Sequence, residues 1–373
     1  MSRPSAGYFC DHNAGAPVLP EVLERFVAVE RDCPGNPASS HTAGRKARAV
    51  LEDARERIAA VFGLGAEDVL FVGGGTEAAN LAVAGLGDPN LPVLLSPAEH
   101  PAVREPAERR GLHEWQVDAE GAARVVEPAC AVGLVACGHA QSELGTLQPV
   151  DEAAALATRL GVPLFVDAAQ SLGRLPLVPV VALAAAVALS PHKCGGLRGH
   201  GVLMGRDLQH RLRPLLVGGG QEFGLRPGTQ SPALAAANAL AIERASAATT
   251  VRAAHMLAAR GAFLAGLAGS GAEYRVLTPL HRSLPNTVML HFPGLDGRNL
   301  LPALDLAGVQ ASHGSACSSG SPLPPRILRA IGLDDEAARA CVRISLGWSD
   351  GVDTNHDAGR HAGDVVRRRQ QKN

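Results

Sequence analysis

Unbroken apolar runs alternate with amphipathic stretches through roughly the first two thirds of the chain. The runs are Val69 to Val72, Pro92 to Leu95, Val132 to Ala136, Pro163 to Val166 and Val181 to Leu189. None alternates polar with apolar, so each predicts a strand buried on both faces. Helical periodicity falls between them, over Glu77 to Ala84, Pro101 to Arg110 and Val150 to Leu160. An amphipathic helix is also predicted from about Ala43 to Phe62, with Val50, Ala54, Ile58 and Val61 on its apolar stripe. Buried strands alternating with helices predict an α/β domain with a mainly parallel sheet. Ligands then gather where the strands end at their carboxyl edge. The Ala-rich stretch Pro232 to Ala247 reads as a long helix leaving this domain.

Past about residue 250 the pattern changes. A helix (Ala253 to Leu267), a strand (Asn286 to Phe292), a helix (Gly297 to Leu306), a glycine-serine loop and a strand (Val342 to Leu346) predict a smaller α+β domain. The polar, basic tail from Gly351 reads as a terminal helix with a frayed end. Residues 13–250 are assigned to the large domain, and 1–12 with 251–373 to the small one, whose loop spans about 311–323.

Composition narrows the class. Apolar residues make up 46% of the chain, as in soluble globular proteins, but aromatics only 3%, so Ala, Val and Leu must fill the core. A formal net charge of -1 gives no electrostatic case for nucleic acid or an anionic membrane. The longest apolar stretch, Val178 to Leu189, is too short to span a bilayer. Met1-Ser2-Arg3-Pro4 leads into no signal-peptide core, so a cytoplasmic location is expected. The seven cysteines show no CxxC spacing, which argues against a disulfide framework or a zinc site. Cys317 stands apart because Ser312-His313-Gly314-Ser315-Ala316 precedes it and Ser318-Ser319-Gly320-Ser321 follows. A thiol in such a loop is accessible to chemistry.

Lysine is rarer still. Only Lys46, Lys193 and Lys372 occur, so arginine does most of the cationic work. Arginine stays charged, whereas a desolvated lysine loses its proton and becomes a nucleophile. Lys193 follows an apolar run and lies between Ser190-Pro191-His192 and Cys194-Gly195-Gly196, where a Schiff-base lysine would sit; a surface loop lysine is the plainer reading. Gly73-Gly74-Gly75-Thr76-Glu77 joins a strand to a helix, which suits a phosphate at the helix N-terminus, although such turns use glycine for geometry too. Asp167, ending the run Leu164-Phe165-Val166, either caps the next turn or pairs with a pyridinium nitrogen. His100 is similarly open between a capping or core histidine and a site residue.

Eleven segments in one order carry a more specific signal. They are Cys10-Asp11-His12-Asn13-Ala14, Gly35-Asn36-Pro37-Ala38-Ser39-Ser40-His41, Gly74-Gly75-Thr76-Glu77-Ala78-Ala79-Asn80 and Glu99-His100-Pro101-Ala102-Val103. Glu143-Leu144-Gly145-Thr146, Val166-Asp167-Ala168-Ala169-Gln170 and Ser190-Pro191-His192-Lys193 follow. Gly218-Gly219-Gly220-Gln221-Glu222, Arg226-Pro227-Gly228-Thr229, Gly314-Ser315-Ala316-Cys317 and Arg343-Ile344-Ser345-Leu346-Gly347 complete the set. Together they resemble the cysteine desulfurases of the NifS/IscS type, class V aminotransferases among the fold-type I pyridoxal 5'-phosphate (PLP) enzymes.

The resemblance implies a homodimer that takes L-cysteine and hands sulfur to an acceptor protein, for Fe–S cluster assembly or thio-modification. It implies that Lys193 carries PLP as a Schiff base, that Asp167 holds the ring nitrogen protonated, and that Gln170 bonds the phenolic oxygen. His100 would stack on the ring and shuttle protons. Gly75, Thr76, Ser190 and His192 would hold the phosphate, joined by Thr229 from the partner subunit. Ser142 would contact the cofactor oxygen or the substrate, Asn36 and Arg343 would bind substrate, and Cys317 would accept the sulfur. The chain departs from the family pattern at Gln141-Ser142, where two asparagines are usual, at Gly15 for a threonine, and at Phe223 for an arginine. A selenocysteine lyase, a class V transaminase, or a weakly active sulfur-relay protein are the competing readings. Cys317 argues against the transaminase, which needs no thiol.

Overall fold

The structure, a computed structural model, describes residues 7–314 and 324–372. A seven-stranded sheet organises the large domain. Its strands are β2 (Val69–Val72), β3 (Val93–Leu95), β4 (Leu112–Glu114), β5 (Leu134–Gly138), β6 (Leu164–Asp167), β7 (Ala186–Leu189) and β8 (Gly201–Met204), in the order β2-β8-β7-β6-β5-β3-β4. Four neighbour pairings are parallel and the two made by β8 are antiparallel, so the sheet is mainly parallel, as expected. The strand β8 was not anticipated.

Helices cover both faces. On one side α2 (Thr42–Phe62), α5 (Val150–Leu160), α6 (Val178–Leu183) and α8 (Pro232–Ala247) bury Leu51, Ile58, Leu156 and Ile242 against Val166 and Val187. On the other, α3 (Gly75–Gly85), α4 (Pro101–Arg110) and the short α7 (Leu208–Arg211) bury Leu81, Val103 and Leu208 against Leu70 and Phe165. α1 (Pro20–Asp32), which was not anticipated, packs Val22 and Val29 against α8.

Two expectations need correction. The run Val181 to Leu189 is not one strand, because α6 closes at Leu183 and β7 begins only at Ala186. A uniformly apolar run has no period to mark the turn inside it. In α2 the inward stripe is Ala47, Leu51, Ala54, Ile58, Ala59 and Phe62, whereas Val50 and Val61 are only partly buried. Arg55 also faces inward, which shifts the stripe away from a purely apolar pattern.

In the smaller domain β9 (Arg275–Val276), β10 (Thr287–His291) and β12 (Cys341–Ser345) form an antiparallel sheet in the order β12-β10-β9. Against it lie α9 (Thr249–Ala268), α10 (Gly297–Leu306), α11 (Arg326–Ala330), α12 (Asp335–Arg339) and α13 (Val352–Gln370). Gly359 is where α13 meets α9, since a Cβ there would strike the Phe263 carbonyl. The N-terminal β1 (Tyr8–Phe9) pairs in parallel with β11 (Val309–Gln310), and Asp11 bridges Ser345. The start of the chain is thereby stitched to the small sheet before it enters the large domain. No described helix is long and apolar enough to cross a membrane.

Candidate active site

A cavity of about 160 Å³ opens at the carboxyl edge of β5, β6 and β7. Its walls include ten of the thirteen residues singled out above: Gly75, Thr76, His100, Ser142, Asp167, Gln170, Ser190, His192, Lys193 and Arg343. Asn36 lies elsewhere, exposed, with its side-chain carbonyl accepting from Ala38 N at 2.9 Å. Thr229 lines a different cavity, beside Phe71, His200 and Arg226. Cys317 lies outside the described residues.

The local chain explains each placement. Asp167 ends β6, where its Oδ1 accepts from Ala169 N at 2.9 Å, so it caps the following turn and also faces the cavity. His100 combines its two readings in the same way. As N-cap of α4 it accepts from Ala102 N through Nδ1 at 3.1 Å, which leaves Nε2 as the ring's N–H. Lys193 sits in a single 3-10 turn, Pro191–Lys193, directly beyond β7.

The chain's own groups fit PLP. Gly75 opens α3 against Ser190, and a Cβ at Gly75 would collide with the Ser190 hydroxyl, so only glycine leaves this cradle open. Helix N–H groups there, with the Thr76 and Ser190 hydroxyls and His192, line the same cavity and would hold a phosphate. Burial, with Lys193 and Arg198 nearby, pulls the His192 imidazole down to about 4, so it is neutral at pH 7 and offers one N–H. At residue 15 a Cβ would stand 3.2 Å from the tip of the Arg198 side chain, a tight contact that a small shift of that guanidinium relieves. Across the cavity, Arg343 is fully buried, with Nη1 donating to Ser142 O at 3.0 Å and Nη2 paired to Asp11 at 2.6 Å. Its Nε is buried and has no partner among the described residues.

Sequence reasoning missed four residues here. Asn13, Glu99 and Gln141 line the cavity, and Arg174 lies behind it, bonded to Gln170. The first two belong to quoted motifs, but nothing local marked them as site residues. Glu99 accepts from Gly138 N at 2.8 Å. Burial pushes its carboxyl up to about 8, against the pull of that hydrogen bond and with help from Asp167. Gln141 folds back onto the Glu143 carboxylate and the Glu143 and Leu144 amides, fixing the turn that presents Ser142.

The sheet, its second domain and the carboxyl-edge cavity are those of fold-type I enzymes. The class-V aminotransferase family model matches residues 8–352. An IscS-like cysteine desulfurase of Mycobacterium tuberculosis is 33% identical over 377 residues, covering 94% of this chain and 93% of that protein. A protein named putative cysteine desulfurase IscS 1, of Bacillus subtilis, is 32% identical, covering 96% and 98%. Among solved structures, a NifS-like protein superposes with a TM-score of 0.86 at 29% identity, covering 97% of this chain and 99% of its own. SspA, solved in complex with cysteine, gives 0.77 at 28% identity, covering 91% and 99%. The chain belongs to the class-V aminotransferase family, in its NifS/IscS-like cysteine desulfurase group. That membership implies PLP as cofactor and a desulfurase-type reaction.

Proposed function

We propose that this protein converts L-cysteine to L-alanine and passes the sulfur, through a persulfide on Cys317, to an acceptor protein for Fe–S cluster assembly or thio-modification. The observation that carries the reading is the convergence of Lys193, Asp167, Gln170, His100 and Arg343 on one cavity. Bound PLP supplies an electron sink that acidifies the substrate Cα–H and makes its sulfur electrophilic. Arg343 clamps the substrate carboxylate and so fixes which substrate bonds face the ring. The Lys193 amine takes the Cα proton as general base. The Cys317 thiolate attacks the substrate sulfur, the Cβ–S bond breaks and an S–S bond forms; a proton is then delivered to Cβ, and the Lys193 ammonium returns its proton to Cα to complete alanine.

Support for delivery by Cys317 comes from the loop's base. Ser312 pairs with Arg343 through both backbone hydrogen bonds, so the chain leaves for Cys317 from beside the carboxylate clamp. We further place the protein as a homodimer, with Thr229 serving the partner's phosphate site. Exposed Leu215, Leu216 and Val217 near that loop favour such an interface.

The test is alanine production from cysteine, with selenocysteine run alongside. Lys193→Ala is expected to abolish turnover and the visible band of the loaded protein. Cys317→Ser should keep the band and lose turnover with cysteine. Full activity in Cys317→Ser would reject Cys317 as acceptor, and a colourless wild type would reject the cofactor. Faster turnover of selenocysteine, independent of Cys317, would point to a lyase instead.

A further inference from the structure

The side chain of Asn13 makes four hydrogen bonds to three separate stretches of the chain. It is almost fully buried. Its Nδ2 donates to Ser142 O at 3.2 Å and to Thr287 Oγ1 at 2.9 Å. Its Oδ1 accepts from Arg174 Nη1 at 2.9 Å and from Asn286 Nδ2 at 3.0 Å. The orientation of the amide is fixed by chemistry, since a guanidinium has only donors and must face the oxygen. The Thr287 hydroxyl spends its proton on Asn286 Oδ1, so it accepts from Asn13. All four hydrogen-bonding positions of the amide are therefore used.

The partners join the two sides of the cavity. The Ser142 carbonyl that Asn13 holds is the same oxygen that receives Arg343 Nη1 at 3.0 Å. The backbone carbonyl of Asn13 accepts from Gln170 Nε2 at 3.1 Å, while Arg174 Nη1 spans Asn13 Oδ1 and Gln170 Oε1. One residue thus fixes the arginine clamp through a shared carbonyl and the glutamine through its own backbone.

We propose that Asn13 is a positioning residue that sets the Ser142 carbonyl, and through it the angle at which Arg343 meets an amino-acid carboxylate. This rests on the proposed function, in which Arg343 binds that carboxylate. The side-chain and backbone roles of Asn13 are separable. Asn13→Asp keeps size and both acceptors, and gives Arg174 a carboxylate to pair with, which preserves the fold. It removes the two donors and sets an oxygen against the Ser142 carbonyl, which must then move. The Gln170 contact, made by the backbone, is left in place.

The experiment compares wild type and Asn13→Asp, each loaded with PLP. Expected are an unchanged cofactor content, a melting temperature within a few degrees, and a KM for cysteine raised on the order of tenfold with kcat little changed. Titration with L-alanine, followed in the visible spectrum, should show a parallel loss of affinity. A wild-type KM and alanine affinity in a folded, loaded Asn13→Asp would overturn the proposal. So would a fall in kcat with KM intact. Should Asn13→Asp not fold, Thr287→Val carries the test by freeing one side of the amide, with KM expected to rise about threefold; wild-type KM there overturns it. If the wild type makes no alanine from cysteine, the desulfurase reading fails, and the alanine titration still decides the role of Asn13.

Discussion

Two buried arginines, Arg55 and Arg174, are treated in opposite ways by this molecule. Arg55, on the inner face of α2, meets Glu222 through two hydrogen bonds at 2.8 and 2.9 Å, both side chains being almost wholly buried. Burial pulls its guanidinium down, but Glu222 and Glu52 outweigh that and leave it raised. Phe71 and Phe223 lie over it at 4.7 and 5.2 Å, and Glu222 and Phe223 both hold positive φ. Arg174, under the cavity, has no carboxylate partner among the described residues. Amide and carbonyl oxygens of Asn13, Gln170, His12 and Lys193 receive its protons. Burial, with Arg343 and Arg252 nearby, brings it down to about 10 against the opposing Cys194. The first charge is neutralised locally and fastens a strained turn. The second remains uncompensated beside a cavity whose proposed guests carry phenolate and carboxylate charge, where a fixed cation is worth most.

The contrast can be broken from either side. The largest effect is expected from Glu222→Gln, which strands the Arg55 charge and should cost about 3–5 kcal/mol by chemical denaturation. Pairing it with Arg55→Met should recover part of that loss. Arg174→Met should cost less, about 1–3 kcal/mol from carbonyls left without donors, yet shift the visible band of the loaded protein. Glu222→Gln should leave that band alone. Equal stability losses with no spectral change in Arg174→Met would erase the distinction. The last test, Glu99→Gln, is read as a slope with pH. The unfolded chain loses the Glu99 proton near 4.5 and the folded chain near 8, so its contribution is whole below about 4.5 and drains away as pH rises through 8. Glu99→Gln should flatten the fall of melting temperature across that window; an unchanged slope would reject a buried, protonated Glu99.

What could be read beforehand followed from local physics. Double-sided burial writes strands as solid apolar runs, so β2, β3, β5 and β6 were visible in the sequence. The same uniformity hid the break between α6 and β7. The antiparallel β8 is four residues, beginning at Gly201 and followed by Gly205, and offered no period. Nothing in the sequence marked Arg55 as an inward residue, because its partner Glu222 lies 167 positions away. Most of the cavity's polar residues were legible only as motifs in order, since strand ends place them without any local signature. Glu99 and Arg174 were silent because burial, which gives each its character, is a property of the assembled fold.

The stitch between the start of the chain and the small sheet bears on the order of assembly. Asn13 N donates to Ser345 Oγ and Asp11 pairs with Arg343, each across 332 positions. Contacts of that span form late, after the entropy of closing so long a loop has been met. During synthesis the turn where α3 meets Ser190 can condense while the arginine side of the cavity does not yet exist. The wall that carries Arg343 is therefore the last part of the cavity to be made.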